Sequence, residues 1–272
     1  MKERFRSVWH GREVVNILGV MIDPVTIDSA AETVITWAAE RSGRARAVFV
    51  TGVHGVMEAY RSVHVRNVLN TAHRNVPDGT PVVWIGRYAG FSSMRRVFGP
   101  DLMLEVCRRS VSRHLSHFFL GGRPGAATAL AHSLTAKFPG LRVAGTYTPP
   151  FRPLTKEEVQ AVLETIRQTS PDLVWIGLST PNQELLSAAL LPEIPTGVVL
   201  TVGAAFDYNT GRLHRAPHWM QVAGLEWSFR LLQEPRRLFG RYMRNNPSFL
   251  LLALLQMMGR RGRPVDPAGG ER

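Results

Sequence analysis

The sequence predicts an α/β fold in which helices cover a parallel sheet, with a basic helical segment appended at the C-terminus. Between residues 14 and 205, short runs rich in β-branched residues alternate with stretches of helical periodicity. This alternation is typical of βαβ units. Beyond Asp207 the alternation stops and arginines dominate. The 272 residues, 44% of them hydrophobic, suffice for one core, assigned to residues 1–206, and one appendage, assigned to residues 207–272.

Seven apolar runs are the strand candidates of the core. Each is short and contains β-branched or aromatic residues, as strands of a buried sheet do. In chain order they are VVNILGV from Val14, ARAVFV from Ala45, PVVWIG from Pro81, HFFLGG from His117, LRVAG from Leu141, PDLVWIGLS from Pro171 and GVVLTVGA from Gly197.

Six segments between these runs have helical periodicity. They cover residues 27–42, 54–70, 100–114, 124–138, 155–169 and 182–191. Thr26 or Asp28 is expected near the N-cap of the first segment, and Pro124 in the first turn of the fourth. Thr155 followed by Glu158 predicts a capping box at the start of the fifth.

The composition limits the cofactors and the compartment. Cys107 is the single cysteine, which excludes an intrachain disulfide and fits a reducing cytoplasm. There is no Asp-x-Asp pair, and the nine histidines lack ligand spacing, so neither a metal nor another cofactor is expected. The N-terminus lacks the apolar segment of a signal peptide, so the chain is expected to stay in the cytoplasm.

Arginines mixed with apolar residues set the C-terminal segment apart. Ten arginines between Arg212 and Arg263 accompany two carboxylates, Glu226 and Glu234, so the segment carries +8 of the formal net charge of +12. The expected partner is an anionic membrane surface, a pyrophosphate, or both. Arginine's planar fork suits phosphate groups, although a codon bias would produce the same arginine excess.

The residues from Pro235 onward predict a basic amphipathic helix. At 100° per residue, one arc holds Leu238, Phe239, Tyr242 and Met243, and the opposite arc holds Arg237, Arg241 and Arg244. The apolar arc either packs on the core or lies on a membrane. The apolar run 249–255 favours a membrane surface, but it is far shorter than the roughly 20 residues that span a bilayer. The residues from Gly262 onward have the composition of a frayed end.

A glycine-rich turn and two polar helix starts are candidate binding elements. Gly121 and Gly122 follow the strand HFFL and open a helix, which suits a phosphate but equally suits a plain turn. The turn lacks the Lys-Ser/Thr ending of an NTPase. Gln183 and Glu184 could bind a base or sugar hydroxyls, or could cap a helix. Asp207 could accept a ribose hydroxyl, or could stabilise a loop.

Asp78 is the candidate for acid–base chemistry. In the segment PDG at 77–79 it is either a carboxylate that takes a proton from an attacking hydroxyl or an ordinary turn residue, and spacing alone favours the turn. Thr51 and His54 follow the strand ARAVFV and could line the same cleft. A lone histidine at a strand end is more often structural.

Taken together, the motifs resemble the bacterial glycosyltransferases of the WecG/TagA/CpsF family. The resemblance spans roughly residues 14 to 250. It rests on Thr51, PDG at 77–79, RVFGPDLM at 96–103, FLGG at 119–122, PDLVWIGLSTPNQE at 171–184, VGAAFDYNTG at 202–211 and RAPHWMQVAGLEWSFRLLQEPRRLFGRY at 215–242. Each motif is unremarkable alone, but the ordered set is specific.

The resemblance implies a Rossmann-like core and transfer of a sugar, with inversion and without a metal. The donor would be a nucleotide-sugar, usually a UDP-sugar, and the acceptor a polyprenyl-diphosphate-linked glycan at the inner face of the plasma membrane. The implied site comprises Asp78 as general base, Thr51 beside it, Gly121, Gly122, Gln183 and Glu184 on the donor side, and Arg230, Arg237 and Arg241 near the diphosphate. From the residues themselves, Asp207 is added to the donor side and His54 to the diphosphate or acceptor side.

Two departures from the family pattern affect the expected sugar specificity. Val53 occupies a position where many members have asparagine, and residues 179–184 read STPNQE rather than the usual Gly-x-Pro-Lys-Gln-Glu. The segment TPPF at 148–151 is closer to the exopolysaccharide branch than to the teichoic-acid branch. The sugar, the acceptor and the oligomeric state stay open.

Two other classes compete with this interpretation. A nucleic-acid-binding protein could use the same arginine-aromatic tail, and salt dependence alone would not separate it from a membrane-binding enzyme. An NAD-dependent oxidoreductase would need a complete Gly-x-Gly-x-x-Gly with an acidic residue about 20 positions later, which the sequence lacks. The sequence therefore favours a transferase with lipid-linked and nucleotide-linked substrates and no nucleic-acid partner.

Overall fold

A computed structural model describes residues 2–150, 152 and 154–259 of the chain. The frayed end expected from Gly262 lies outside the described residues. The described strands are β1 (Arg6–Trp9), β2 (Arg12–Ile17), β3 (Val20–Ile22), β4 (Arg46–Thr51), β5 (Arg74–Pro77), β6 (Ser116–Gly121), β7 (Arg142–Tyr147), β8 (Leu173–Gly177) and β9 (Val198–Thr201).

The helices occupy most of the segments between the strands and most of the described residues after β9. They are α1 (Ile27–Glu40), α2 (Val53–Arg61), α3 (Val63–Asn70), α4 (Thr80–Tyr88), α5 (Gly99–Val111), α6 (Ala126–Lys137), α7 (Lys156–Thr169), α8 (Asn182–Leu190), α9 (Ala205–Asn209), α10 (His218–Val222), α11 (Glu226–Gln233) and α12 (Pro235–Met257).

A six-stranded parallel sheet in the order β5-β4-β9-β8-β6-β7 forms the centre of the molecule. One face packs against α1, α5, α6 and α9. The other face packs against α7 and α8 at one end and against the N-terminal elements, α2 and α3 at the other. The predicted α/β fold with a helix-covered parallel sheet is confirmed.

The run VVNILGV is a strand, but it does not join the parallel sheet. It lies mainly in β2, the middle strand of an antiparallel sheet β1-β2-β3. Tight turns with positive φ at Gly11 and Gly19 connect the three strands. Val15 and Ile17 pack with buried residues of α2, α3 and α4. Assigning this run to the parallel sheet was wrong because short hairpin turns pair sequential strands locally.

The run PVVWIG was predicted as a strand and is instead helix α4. Gly79 is the N-cap, with φ of 101°, and Pro81 lies in the first turn. Val82 and Val83 are buried while Trp84 is 54% exposed, so the run is amphipathic on a helix. The strand that precedes it is β5, which the sequence reading missed because only four residues form it and two of them are polar.

The predicted helices agree with the structure apart from two details. Thr26 is the N-cap of α1, and the capping box of Thr155 and Glu158 opens α7. The segment 54–70 divides into α2 and α3 at Ser62, whose side chain caps α3. Pro124 precedes α6 rather than lying in its first turn, because Gly125 is the N-cap.

The C-terminal helix α12 has two apolar faces rather than one. Leu238 is buried, and Tyr242 contacts Trp227 edge-on at 5.9 Å between ring centroids. Phe239 and Met243, by contrast, are 59% and 45% exposed. The predicted single apolar arc was therefore wrong in detail, because its members divide between the core and the solvent. The boundary predicted at residue 207 falls inside α9.

Candidate active site

The carboxyl ends of the parallel strands gather the predicted site residues along one edge of the sheet. Thr51 ends β4, Asp78 follows β5 and Gly121 ends β6. Gln183 and Glu184 open the helix that follows β8, and Asp207 lies in the helix that follows β9. In open α/β sheets this edge is where ligands bind.

Asp78 lies beside Thr51, and an arginine bridges it to α11 of the C-terminal segment 207–272, here called the tail. Its backbone N–H donates to the Thr51 carbonyl at 2.9 Å, which aligns the two strand ends. Arg96 Nε donates to Asp78 Oδ1 at 3.0 Å, and Arg96 Nη1 donates to Glu226 of α11. The carboxylate of Asp78 stays 30% exposed. Burial works against the charge of Arg96, but its two carboxylate partners raise its pKa above the usual range.

Thr51 is a buried residue whose hydroxyl is already bonded. Its Oγ1 donates to Asn75 Oδ1 at 2.9 Å, and Asn75 Nδ2 donates to the Leu69 carbonyl at 2.6 Å. The residue is 2% exposed. A side chain at Gly52 would come within 2.8 Å of the Asp78 carbonyl oxygen, so the strand ends fit together only with glycine there. The structure thus supports Thr51 as a neighbour of Asp78.

Gly121 and Gly122 pack against protein backbone at the start of the glycine-rich turn. Their φ angles are 128° and 75°, and a Cβ on Gly121 would lie 2.7 Å from the Gly177 carbonyl oxygen. Gly122 N donates to the same carbonyl at 2.9 Å. Close approach of β6 to β8 therefore accounts for Gly121, whereas Gly122 is favoured by its positive φ and by Ala126, whose Cβ lies 2.6 Å from where a Cβ on Gly122 would be. Contact with a donor phosphate stays a prediction for them.

Gln183 and Glu184 are buried at the start of α8 and are not exposed at the carboxyl edge of the sheet. They are 2% and 1% exposed. Thr180 Oγ1 and Gln183 Nε2 donate to Glu184 Oε1 at 3.0 and 2.8 Å, and Gly203 N donates to Gln183 Oε1 at 3.0 Å. Burial raises the pKa of Glu184 to about 6, against the effect of these hydrogen bonds. In this arrangement the pair supports the turns that follow β8 and β9.

Asp207 lies among arginines from three parts of the chain. Arg212 Nη1 is 3.0 Å from Asp207 Oδ1, and Arg123 Nη2 of the glycine-rich turn is 3.9 Å away. Burial raises the pKa of Asp207, and the charges of Arg123, Arg237 and Arg230 oppose that rise. The glycine-rich turn and the tail therefore meet at Asp207.

The three tail arginines of the prediction occupy different environments. Arg230 lies over the ring of Tyr208 at 5.4 Å, and its Nη2 is 3.5 Å from Glu234 Oε2. Arg237 Nε donates to Glu234 Oε1 at 3.0 Å. Arg241 is partly buried, and burial together with neighbouring arginines lowers its pKa. Their contact with diphosphate stays a prediction.

His54 is bonded to protein on both ring nitrogens. Its Nε2 is 3.2 Å from the Thr180 carbonyl oxygen, and its Nδ1 is 2.9 Å from Asn245 Nδ2 of α12. Burial and the charge of Arg241 lower the pKa of His54 to about 4. The structure thus gives this residue partners in the protein, and its predicted contact with diphosphate or acceptor stays untested.

Sequence reasoning missed Arg96 and Glu226 as members of the site. Arg96 is 18 residues from Asp78 and 130 residues from Glu226, so local patterns carry no information about the bridge. One signal was available. A carboxylate within a strongly basic tail, such as Glu226, is expected to have a basic partner when it is buried, and Glu226 is 8% exposed.

The described residues contain neither a metal-ligand cluster nor a membrane-spanning helix. Among the described residues, no group of three or more histidines, cysteines, aspartates or glutamates could hold a metal ion. Within the same part of the chain, no helix has the length and apolar character needed to cross a membrane. Metal independence stays a prediction.

Comparison with known proteins extends over the sheet, the site and the tail. The chain matches the model described as "Glycosyl transferase WecG/TagA/CpsF family" over residues 15–263. It is also similar to the N-acetylglucosaminyldiphosphoundecaprenol N-acetyl-beta-D-mannosaminyltransferase of Bacillus spizizenii, with 28% identity over 180 residues, which cover 66% of this chain and 68% of the relative. The family match includes Thr51, Asp78, Gly121, Gln183 and the whole of α12.

Proposed function

Because the chain belongs to the WecG/TagA/CpsF family and is a glycosyltransferase, we propose that it transfers a sugar from a UDP-sugar to an acceptor carried on a polyprenyl diphosphate. The relative in Bacillus spizizenii, as its name states, transfers N-acetylmannosamine to N-acetylglucosaminyldiphosphoundecaprenol. The product would serve the synthesis of a cell-surface polysaccharide, such as an exopolysaccharide.

The placement of Asp78 carries the proposal. The carboxylate is partly exposed at the carboxyl edge of the sheet, and Arg96 binds Oδ1, so we assign Oδ2 as the proton acceptor. The acceptor hydroxyl oxygen attacks the anomeric carbon as its proton passes to Oδ2. The bond from the anomeric carbon to the diphosphate oxygen breaks on the opposite side, and the nucleotide diphosphate leaves with the electron pair. A single displacement of this kind inverts the anomeric centre.

Arginines around Asp207 are suited to stabilise the departing diphosphate. Arg123, Arg230 and Arg237 lie near the carboxylates of Asp207 and Glu234, since their charges affect the pKa of both. A guanidinium group can donate two hydrogen bonds to one phosphate group, and its positive charge stabilises the negative charge that develops as the bond breaks. We propose that these arginines bind the diphosphate and that no metal ion is required.

The exposed apolar surface of the tail supports a peripheral location on the inner face of the plasma membrane. Eleven of the fifteen exposed large apolar side chains among the described residues lie after residue 218. They are Trp219, Val222, Leu225, Trp227, Leu232, Phe239, Met243, Leu250, Leu251, Leu254 and Met258. Such a concentration, beside arginines, fits an anionic lipid surface that also contains the acceptor.

Substitution of Asp78 tests the proposed base. Asp78→Asn keeps the shape and a partner for Arg96 but cannot take a proton, so transfer is expected to fall by about 10² to 10⁴-fold. The assay measures released UDP with a polyprenyl-diphosphate acceptor across a panel of UDP- and GDP-sugars. Asp28→Asn, an exposed aspartate paired with Arg109 on α5, is the matched control.

Two outcomes would contradict the proposal. A folded Asp78→Asn variant with near wild-type transfer would remove Asp78 as the base. A wild-type protein that transfers no sugar from any donor of the panel, yet binds DNA in the presence of competing vesicles, would favour the nucleic-acid alternative.

A further inference from the structure

The buried face of α12 carries two amides among apolar residues. Its buried positions are Leu238, Asn245, Phe249, Ala253 and Gln256. Asn245 and Gln256 are 1% and 9% exposed, so each must find polar partners in the core. Each amide bonds to a different part of the molecule, so two separate polar contacts attach α12 to the core.

Gln256 attaches the C-terminal end of α12 to the N-terminal hairpin. The Leu18 N–H donates to Gln256 Oε1 at 3.1 Å, and Gln256 Nε2 donates to the Asn16 carbonyl at 2.9 Å. Both partners are backbone groups around the turn between β2 and β3. This contact holds the C-terminal end of α12 on the hairpin, and none of its residues belongs to the candidate site.

Asn245 attaches the middle of α12 to His54, which lies three positions after Thr51, the last residue of β4. Asn245 Nδ2 donates to His54 Nδ1 at 2.9 Å, and His54 Nε2–H donates to the Thr180 carbonyl at 3.2 Å. Only one neutral tautomer satisfies both bonds, because Nδ1 must accept while Nε2 donates.

The surroundings of His54 keep the imidazole neutral. Burial and the charges of Arg241, Arg61 and Arg244 lower its pKa to about 4. Glu58 Oε1 is 3.6 Å from Nδ1, but it also pairs with Arg61 and Arg244 at 3.3 and 3.5 Å. The ring can therefore accept from Asn245 near neutral pH.

The turn after β8 continues the chain of contacts. Thr180 Oγ1 donates to Glu184, and Gln183 accepts from the backbone N–H of Gly203. The series of hydrogen bonds thus runs from α12 through α2 and the segment 179–184 to Gly203, just after β9. It joins the tail to the segment whose Gln183 and Glu184 the family resemblance places on the donor side.

We propose that His54 is a positioning residue that couples the docking of α12 to the geometry of the segment 179–184. On the proposed function, the donor side would then be fully formed only when the tail is docked on the core. His54 acts through Asn245 and Thr180 and does not itself touch the substrate.

Hydrogen exchange tests the coupling without requiring activity. Asn245 is not bonded to the segment 179–184, so a purely local role predicts no change there when it is replaced. With the coupling, Asn245→Leu raises exchange of the amides in 179–185 by about fivefold or more, since it removes the donor to Nδ1 of the partly buried imidazole. Gln256→Leu, a matched amide on the same buried face, should increase exchange around residues 16–20 and leave 179–185 unchanged.

Two substitutions of His54 distinguish its hydrogen bond to Asn245 from its hydrogen bond to Thr180. His54→Asn keeps an oxygen near the place of Nδ1 and can still accept from Asn245, but it is too short to reach Thr180. It should raise exchange in 179–185 while α12 stays protected. His54→Gln can reach Thr180 through its amide nitrogen, so it should restore much of the protection of that segment. Unchanged exchange in Asn245→Leu and His54→Asn, or an equal rise in Gln256→Leu, would overturn the coupling.

A donor titration links the coupling to the proposed function. If both hold, His54→Asn and Asn245→Leu raise the KM for the nucleotide-sugar by about fivefold or more with a smaller change in kcat, and the double variant is little worse than either single one. Gln256→Leu should leave the KM near that of the wild type. A wild-type protein that transfers no sugar would defeat the proposed function and leave the exchange result standing. Altered exchange with an unchanged KM would defeat the link to the donor side.

Discussion

At the scale of single residues, the buried imidazole of His117 should make stability depend on pH. Trp175 Nε1 donates to His117 Nδ1 at 2.9 Å, and Ser110 Oγ lies 2.8 Å from Nε2. Burial lowers the pKa of His117 to about 3, and the charge of Asp172 only partly opposes this. The unfolded chain therefore binds a proton at higher pH than the folded protein does.

The sign of the effect follows from this difference. Because the folded-state pKa is depressed, the contribution of His117 is complete above about pH 6.5 and is lost as pH falls toward 3, by up to about 1.4 kcal/mol per pH unit. Urea unfolding of His117→Gln should show a shallower loss of the free energy of unfolding between pH 6.5 and 4.5. The exposed His64→Gln is the control and should keep the wild-type slope. Equal slopes in all three proteins would contradict the prediction.

The sequence predicted several candidate site residues but not their partners. Thr51 was placed at the end of a predicted strand, whereas Asp78 became a candidate base only through the family resemblance. Parallel topology brings the two together, because the ends of β4 and β5 are neighbours. The bridge from Asp78 through Arg96 to Glu226 joins three distant segments, so it follows from how the tail docks and not from local pattern. Burial of Gln183 was likewise invisible, because an amide at a helix start reads the same whether it faces a cleft or the core.

At the scale of elements, the errors arose where a short apolar run fits more than one structure. The run from Pro81 has a β-branched pair and an aromatic residue, which also form the faces of α4. The strand β5 was missed because a polar residue, Asn75, lies buried in it. The side chain of Asn75 bonds to Thr51 Oγ1 and to the Leu69 carbonyl, which no local pattern reveals. Longer periodic segments such as α1 and α7, which also have capping boxes, were predicted within about two residues.

The junction of α11 and α12 holds arginines that lie beside the site as well as an arginine that faces outward. Arg230 lies over Tyr208 and beside Glu234, whereas Arg236 is exposed. Arg230→Ala should lower turnover by about 10²-fold, the usual cost of losing one group that stabilises transition-state charge. Arg236→Ala should leave turnover near that of the wild type.

Vesicle binding is the second measurement on the same pair of variants. A basic residue near an anionic surface contributes about 1 kcal/mol, so Arg236→Ala should weaken vesicle binding by about fivefold. Arg230→Ala should weaken it less, because its charge is directed toward the site. If Arg230→Ala loses vesicle binding but keeps turnover, the tail acts as an anchor and not as part of the site.

At the scale of the whole molecule, α12 joins the core to an outward apolar surface. Its buried face lies on the hairpin and α2, and exposed apolar side chains lie on the opposite side. Phe239, Met243, Leu250, Leu254 and Met258 fall within an arc of about 100° at 100° per residue. The helix α12 thus carries Arg237 and Arg241 of the candidate site as well as the apolar surface, so docking on a membrane is expected to set the height of the site above the lipid.

Removing apolar area from that surface tests its role directly. Leu250 and Leu254 are each 54% exposed, so Leu250→Ser with Leu254→Ser should cost the folded protein little. If each half-buries in lipid at about 1 kcal/mol, the double variant should bind anionic vesicles about 30-fold more weakly in a flotation assay. It should also lose transfer to a membrane-embedded acceptor while keeping transfer to a short-chain, water-soluble one.

The control for this variant lies elsewhere on the surface. Val63 and Val143 are 50% and 38% exposed and lie outside the tail, so Val63→Ser with Val143→Ser removes apolar area without touching α12. Because only the tail is proposed to contact lipid, this control should float with vesicles as the wild type does. Equal loss of flotation in both double variants would mean that exposed apolar area in general, and not the outward face of α12, determines binding. Loss of transfer to both acceptors in the tail variant would place its effect in the site and not at the membrane.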